Sequence, residues 1–160
     1  MGAVKEEPLS RADAACLHAE EPTNPFVVTS LAVLDEPLDL DRFKSMLSRH
    51  IHLHPRLRQV VNEGLVPVVA QRWTTASNFE LDAHIRRVAL PPPGGHAELA
   101  EFIGDLVGHP LDFGQPLWEI HAVNGPGRGG ALVSRFHHSM GDGQAGPCTP
   151  TATRGQTWTC

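Results

Sequence analysis

Apolar residues with helical spacing alternate with β-branched segments along this chain, and this alternation constrains the fold more than any other feature. One stripe has spacings of three, four and four residues and consists of Leu40, Phe43, Leu47 and Ile51. A second stripe of the same kind runs through residues 99–107. Both stripes predict amphipathic helices, whereas the β-branched run at residues 26–34 predicts a strand.

The ends of the predicted helices carry recognisable signals. Ser10 can cap a helix in the segment "PLSRADAACLHAE", with Asp13 three residues further on as a variant of the capping box. Asp39 is the expected cap of the next helix. Pro55 disfavours helical conformation at His54, so this helix should end there.

The remaining segments predict further strands. The segment "RLRQVVNEGLVPVVAQRW" predicts a hairpin that turns at Asn62–Gly64, and Pro67 indicates that its second strand lies at an edge or starts late. We interpret the ambiguous segment "FELDAHIRRVAL" as a strand plus an extended segment. After the break at "PPPGG", a helix precedes a strand–turn–strand unit, "LWEIHAV", "NGPGRGG" and "ALVSRFHH". This order predicts an α/β fold, a two-layer sandwich of a mixed sheet and helices.

The composition argues against several classes of function. The net charge is −5 and the pI is about 6.0, which is a poor match for a nucleic-acid-binding protein. No apolar stretch approaches the length of about 18 residues that spans a membrane, and the N-terminus has no apolar core of signal-peptide length. The three cysteines are widely spaced, so we expect neither a disulfide framework nor a zinc knuckle. Because disulfides are rare in the cytoplasm, we expect a cytoplasmic location.

Residues 147–160 differ in composition from the rest of the chain. They contain Pro147, Pro150, several threonines and one large apolar residue, Trp158. Such a segment buries little apolar surface, so we expect it to lack regular structure. The sequence therefore predicts one folded lobe at residues 1–146 and a disordered tail at residues 147–160.

The motif HHxxxDG stands in "SRFHHSMGDG", at the end of a predicted strand. Side chains alternate faces along a strand, so His137 and His138 cannot both point into one site if the strand continues to its end. One histidine should be buried or structural, and the other should face a cleft. Gly141 and Gly143 flank Asp142 and permit backbone angles that other residues avoid.

The residues alone leave three interpretations of this motif open. In the first, the two histidines are incidental and the glycines form an ordinary turn. In the second, His137, His138 and Asp142 bind a metal, although the alternation of faces argues against a shared site. In the third, His138 is a general base beside the Asp-Gly turn. Histidine suits this role because its ordinary pKa, about 6.5, lies near neutral pH.

The motif and its flanking segments resemble a known family. HHxxxDG is shared by the chloramphenicol acetyltransferase-like superfamily, which includes the condensation domains of peptide synthetases. The segments "PLSRADAACLHAEEPTNPFVV", "HIHLHPRLRQVV" and "HPLDFGQPLWEIHAV" narrow the resemblance to the bacterial wax ester synthase/acyl-CoA:diacylglycerol acyltransferase family. Those enzymes have two similar lobes with the reaction tunnel between them. This chain resembles the N-terminal lobe, from Pro8 to Gly143, and we expect the second lobe to be absent.

The resemblance implies a role for each residue of the motif. His138 would be the general base, His137 would shape the end of the strand, and Gly143 would set the loop conformation. Asp142 would organise the loop by pairing with an arginine from the N-terminal part. Of the two arginines in "RLRQ", position favours Arg58.

The family's "PLW" segment matches Pro116, Leu117 and Trp118. Two interpretations of these residues stay open, contact with substrate and the packed start of a strand. The resemblance implies neither a metal nor a bound cofactor.

The activity implied by the resemblance is transfer of a fatty acyl group from acyl-CoA, as co-substrate, to diacylglycerol or a long-chain alcohol. No covalent acyl-enzyme would form. The lipid substrates would allow peripheral association with a membrane or a lipid droplet. One alternative is a condensation-type acyltransferase that uses a carrier-protein thioester. Another is a non-catalytic remnant or binding module, because a truncation or a shifted reading frame would explain the tail and the missing lobe.

Overall fold

A computed structural model describes residues 6–62, 71–124, 129–141, 149–151 and 157–159. Its helices and strands are, in chain order, β1 (Glu7–Pro8), α1 (Arg11–Ala19), β2 (Val27–Leu34), α2 (Leu40–His50), β3 (Gln59–Asn62), β4 (Arg72–Thr75), α3 (Leu81–His84), β5 (Ile85–Ala89), α4 (His96–Val107), β6 (Trp118–Asn124), β7 (Gly130–His137), β8 (Thr149–Thr151) and β9 (Thr157–Thr159). Short 3₁₀ turns occupy Ile51–Leu53, Pro55–Arg58 and His138–Met140.

The central sheet has four strands in the order β2–β7–β6–β5. β7 is antiparallel to both of its neighbours, and β5 is parallel to β6. β2 pairs with β7 along its whole length, so that Ser30 lies opposite Ser134, which follows it by 104 residues. The sheet is mixed and is accompanied by helices, so the predicted α/β architecture is confirmed.

Apolar side chains cover both faces of this sheet. The larger core cluster joins the α2 stripe to one face and includes Leu40, Phe43, Leu47, Ile120, Ala122 and Leu132. The smaller cluster joins α4 to the opposite face and consists of Leu99, Val123, Ala131 and Val133 with their partly buried neighbours. Both predicted apolar stripes therefore pack against the sheet, and the structure places one on each side of it.

Both helix starts that the sequence marks are capped as predicted. The Asp13 N–H donates to Ser10 Oγ at 3.0 Å, and the Arg42 N–H donates to Asp39 Oδ1 at 3.0 Å. α2 ends at His50, one 3₁₀ turn continues to Leu53, and a second starts at Pro55; His54 between them is not helical, as the following proline predicted.

A second sheet has three strands in the order β1–β4–β3. β3 and β4 are antiparallel, as predicted, but Asn62 pairs with Arg72. The predicted tight turn is therefore wrong, because this register leaves a longer connection, of which residues 63–70 lie outside the described part of the chain. Trp73 fixes the register, since its side chain is fully buried and a shift by one residue would turn it outward. Pro67 lies outside the described residues, so the expectation that the second strand lies at an edge or starts late stays a prediction.

The segment before α4 also differs from its prediction. Leu81–His84 forms a single helical turn, and the strand follows at Ile85–Ala89, whereas we expected a strand and then extended chain. Successive side chains of a strand point to opposite faces. The helical turn instead lets the neighbours His84 and Ile85 both pack against the core cluster that contains Trp118.

The tail contains a short ladder where we expected no regular structure. Thr149–Thr151 pairs antiparallel with Thr157–Thr159, and the rest of residues 147–160 lies outside the described residues. An isolated two-stranded hairpin is at most marginally stable in water. The disordered tail and the lobe boundary at residue 146 therefore stay predictions.

Candidate active site

β7 carries the first histidine of the motif into the interior. His137 is 0 % exposed, and its N–H donates to the Leu117 carbonyl at 2.9 Å. Its Nδ1 accepts a hydrogen bond from the Ser139 N–H at 3.1 Å and lies 2.7 Å from Ser139 Oγ. Phe113 packs edge-on against the ring with 5.8 Å between ring centroids. These contacts fix the imidazole where the 3₁₀ turn His138–Met140 begins.

Glu20 contacts the other nitrogen of the His137 ring. Its Oε2 lies 2.5 Å from Nε2 and also accepts a hydrogen bond from the Phe26 N–H at 3.2 Å. A backbone N–H can only donate, so Nδ1 is the acceptor for Ser139 and the network assigns the ring proton to Nε2, facing the carboxylate. Burial lowers the pKa of His137 while Glu20 opposes that shift, so we take the ring as neutral near pH 7.

The residue types of a catalytic triad with a serine nucleophile occur together here, in Glu20, His137 and Ser139. The side chains are not accessible for that chemistry, because Ser139 is 1 % exposed and His137 is fully buried. A substrate carbonyl cannot approach a hydroxyl in this position. The contacts instead join the segment after α1 to the turn that follows β7.

The second histidine of the motif lies at the surface. The His138 N–H donates to the Phe26 carbonyl at 2.8 Å, and its side chain is exposed. Within the described part of the chain, no hydrogen bond to its ring is found. Strand alternation predicted one buried histidine and one facing a cleft; His137 is buried and His138 is exposed, although β7 ends at His137 and His138 begins the 3₁₀ turn. The backbone of His138 is thus held by Phe26, and its imidazole is exposed.

Asp142 and Gly143 lie outside the described residues, so the predicted pairing of Asp142 with Arg58 stays a prediction. Arg58 ends the turn Pro55–Arg58 and is exposed, with its guanidinium carbon 5.6 Å from the centroid of the Phe79 ring.

Arg56, the other arginine of "RLRQ", is engaged elsewhere. Its guanidinium carbon lies 4.3 Å from the Trp73 ring centroid, and its Nη2 lies 3.6 Å from Glu7 Oε2. Arg56 thus packs against the second sheet, where Glu7 is its carboxylate partner. The choice of Arg58 for the loop aspartate is therefore compatible with the positions of both arginines.

The predicted substrate-contact residues Pro116, Leu117 and Trp118 are all buried. Leu117 and Trp118 are 1 % and 5 % exposed, and Trp118 Nε1 donates to the Leu57 carbonyl at 2.8 Å. The packed start of a strand, one of the two interpretations, describes these positions. Contact with substrate stays a prediction.

A buried ion pair occupies the face of β7 that also carries His137. Arg135 is 2 % exposed, its Nη1 lies 2.5 Å from Glu119 Oε1 on β6, and its Nη2 donates to the His109 carbonyl. His121 Nε2 lies 3.2 Å from the same carboxylate. The contacts with His121 and Arg135 lower the pKa of Glu119 to about 2. The pair fastens the segment after α4 to the strand that ends in the motif.

Sequence reasoning does not identify Glu20, Ser139 or the ion pair. The sequence does contain a signal for the ion pair. If the two strands pair as a regular hairpin about the glycine-rich turn, Glu119 and Arg135 lie the same number of residues from its centre and therefore opposite each other. No comparable signal exists for Glu20, which lies 117 residues before His137.

No cluster of three side chains suited to metal binding occurs among the described residues, which exclude Asp142. In the same residues, no helix is both long enough and apolar enough to cross a membrane.

Comparison with solved structures places this lobe in a recognised fold. It matches the starter condensation domain of the rhizomide synthetase RzmA with a TM-score of 0.68 at 16 % sequence identity, over 87 % of this chain and 35 % of that chain. It matches the wax ester synthase/diacylglycerol acyltransferase from Marinobacter aquaeolei VT8 with a TM-score of 0.72 at 27 % identity, over 85 % and 35 % of the two chains. The fold is thus that of the chloramphenicol acetyltransferase-like proteins.

Sequence comparison then gives the family. Residues 9–148 match the model of the wax ester synthase/diacylglycerol acyltransferase catalytic domain. A Mycobacterium tuberculosis protein named as a diacylglycerol O-acyltransferase is 35 % identical over 147 residues, which are 88 % of this chain and 29 % of the relative. A similarly named Mycobacterium bovis protein is 34 % identical over 142 residues, 85 % of this chain and 28 % of the relative.

The chain belongs to the wax ester synthase/diacylglycerol acyltransferase family, as the motif and its flanking segments indicated. It spans about 29 % of the length of the curated relatives it matches.

Proposed function

We propose that this lobe supplies the general base of an acyltransferase that moves a fatty acyl group from acyl-CoA to diacylglycerol or a long-chain alcohol. The observation that carries the proposal is the exposed His138 ring, on a backbone anchored to Phe26, with His137 buried beside it. Membership of the family supports the reaction class.

In the proposed reaction, His138 takes the proton of the acceptor hydroxyl as its oxygen attacks the thioester carbonyl. The tetrahedral intermediate then collapses, the C–S bond breaks, and the imidazolium returns its proton to the leaving sulfur of CoA. General-base help of this kind contributes about 10²- to 10⁴-fold in rate.

The chain provides one wall of the proposed cleft. Since it spans about 29 % of its relatives' length, we attribute the other wall to a second lobe. A cleft with one wall cannot exclude water or orient two substrates, so we expect this lobe alone to be weakly active or inactive. Peripheral attachment to a membrane or lipid droplet is part of the same proposal, because both proposed acceptors are lipids.

A condensation-type reaction with a carrier-protein thioester is the second candidate. The fold match to a starter condensation domain favours it, although a variant of that domain was solved in complex with C8-CoA, a free CoA thioester. The family match instead favours free acyl-CoA as donor. Assays with a CoA thioester and with the same acyl group on a carrier protein separate the two.

The test of the main proposal is transfer of a radiolabelled acyl group from acyl-CoA to diacylglycerol. The assay uses this chain alone and this chain with a second lobe from a relative. We expect product in the complemented sample, and we expect His138→Ala to lower its rate by about 10²- to 10⁴-fold.

His96→Ala is a matched control, because His96 is an exposed histidine at the start of α4. It should leave the rate unchanged. Near-normal turnover by His138→Ala would contradict the assignment of the base. Absence of product with either donor and with the second lobe present would favour a non-catalytic remnant or binding module.

A further inference from the structure

His84 is a buried histidine that lies outside the HHxxxDG motif and has no part in the proposed proton transfer. It is 4 % exposed, and its Nδ1 lies 2.7 Å from the Trp118 carbonyl oxygen. Because a carbonyl oxygen can only accept, this contact places the ring proton on Nδ1. Nε2 is buried and has no hydrogen-bond partner within the described part of the chain.

The ring of His84 also holds the ring of Trp118. The two rings stack with 4.5 Å between centroids and an interplanar angle of 18°. Phe79 stacks on His84 at 5.2 Å and 22°. His84 therefore contacts both the backbone and the indole of Trp118, which restricts the tryptophan at two points.

Trp118 connects two segments that the proposed site uses. Its indole N–H donates to the carbonyl of Leu57, the residue before Arg58. The residue before Trp118, Leu117, accepts the backbone hydrogen bond of His137. A change in the position of Trp118 would therefore move the arginine turn relative to the histidine motif.

We infer that His84 is a positioning residue for the acyl transfer: its Nδ1–H and its ring hold Trp118, which in turn holds the Leu57–Arg58 turn beside the histidine motif. The catalytic meaning of this inference rests on the proposed function. The contacts between His84 and Trp118 do not depend on that proposal, and they can be tested on the 160-residue chain by itself.

The charge state of His84 is consistent with this role. Burial lowers the pKa of His84, the bond to Trp118 opposes this, and Glu119 and Arg86 have smaller effects of opposite sign. The ring is therefore neutral near pH 7, in the form that donates from Nδ1.

The first measurement is the tautomer of His84 in the unaltered chain, read from long-range ¹H–¹⁵N NMR spectra at pH 7.5. The expected result is a neutral ring with its proton on Nδ1. A neutral ring with its proton on Nε2 would remove the bond to the Trp118 carbonyl and overturn the inference whether or not any variant folds.

The second measurement is hydrogen exchange of the Trp118 indole N–H, assigned with Trp118→Phe. His84→Phe keeps a ring for stacking but loses the donor, and we expect indole exchange to accelerate about tenfold as the bond to Leu57 opens more often. His84→Asn keeps a donor near the position of Nδ1 and should be closer to the unaltered chain. His50→Asn is the matched control, because His50 is exposed and its Nδ1 contacts only the Met46 carbonyl of its own helix.

Unchanged exchange in a folded His84→Phe chain would overturn the inference. With a second lobe supplied, His84→Phe should lower acyl transfer, with partial rescue by His84→Asn. If the unaltered complemented chain makes no product, the proposed function fails. The two NMR measurements still decide whether His84 positions Trp118.

Discussion

At position 20, a single carboxylate satisfies two buried donors that are far apart in sequence. Glu20 accepts from the ring of His137 and from the Phe26 N–H, and the Phe26 carbonyl in turn accepts from the His138 N–H. The side chain of Glu20 is 7 % exposed, so water cannot readily replace it. The motif thus depends on a residue outside it for the position of both histidines.

We expect Glu20→Ala to destabilise the lobe by about 1–3 kcal/mol for each donor that it leaves unpaired. The measurement is the free energy of unfolding in urea. Glu20→Gln should cost less, because its amide oxygen can still accept from both donors, although without the charge of the carboxylate.

Glu21→Ala is the control for the change at Glu20, since Glu21 is exposed next to it in sequence. Equal stability of the variants at positions 20 and 21 would contradict the described network.

At the scale of elements, the pairing of β2 with β7 requires a close approach at Gly129. A Cβ built on Gly129 would lie 2.3 Å from the Leu34 carbonyl oxygen, a backbone atom that cannot move aside alone. We therefore expect Gly129→Ala to destabilise the lobe by about 1–3 kcal/mol, as overpacking typically does. Thermal unfolding measures the change.

Gly104→Ala is its matched control. Nothing lies within 4 Å of a Cβ at Gly104, which is an exposed position inside α4. Alanine there should stabilise by about 0.5–1 kcal/mol, because glycine is a poor helix former. A Gly129→Ala chain as stable as the parent would show that the two strands separate more easily than described.

The elements show which parts of a fold short-range signals can predict. Ser10 and Asp39 cap their helices because a cap is a contact between near neighbours in sequence. The hairpin turn was wrong because Trp73, rather than the turn residues, sets the register through burial. The helical turn at Leu81–His84 was missed because it depends on Trp118, a residue from a distant strand.

The candidate site divides in the same way. Alternation along β7 predicted that one histidine of the motif would be buried and the other would face a cleft; His137 is buried, but His138 is exposed on the 3₁₀ turn that follows the strand. Which partner the buried ring has could not be predicted, since it depends on how α1 lies against the end of β7. The role of Asp142 stays a prediction, because that residue lies outside the described part of the chain.

At the scale of the whole molecule, the stability of the lobe should fall as the pH is lowered. His84 and His137 have lowered pKa values, so the unfolded chain binds protons more readily below its own histidine pKa of about 6.5. Stability should therefore be flat at slightly alkaline pH and decline as the pH falls below about 6.5.

The stability of the lobe should decline a second time at acid pH. The pKa of Glu119 is lowered from 4.5 to about 2, so its contribution is complete above pH 4.5 and is lost as the pH falls toward 2. This loss is on the order of 3 kcal/mol. Urea unfolding at a series of pH values measures both declines.

Two variants test the two declines in stability separately. His84→Asn should flatten part of the decline below pH 6.5, and Glu119→Gln should flatten the decline below pH 4.5, although it leaves Arg135 without its carboxylate. A lobe that becomes more stable between pH 7 and 5 would contradict the buried neutral histidines.

The pairing of β2 with a strand 104 residues later also matters while the protein is being made. A ribosome adds about 5–20 residues per second, so β2 waits roughly 5 to 20 s before β7 is synthesised. During that time its apolar, uncharged sequence, VVTSLAVL, has both edges open to other nascent chains. Losses through aggregation during translation are therefore to be expected before any failure of the finished lobe, and a lower level of expression, with fewer nascent chains nearby, should raise the yield of soluble protein.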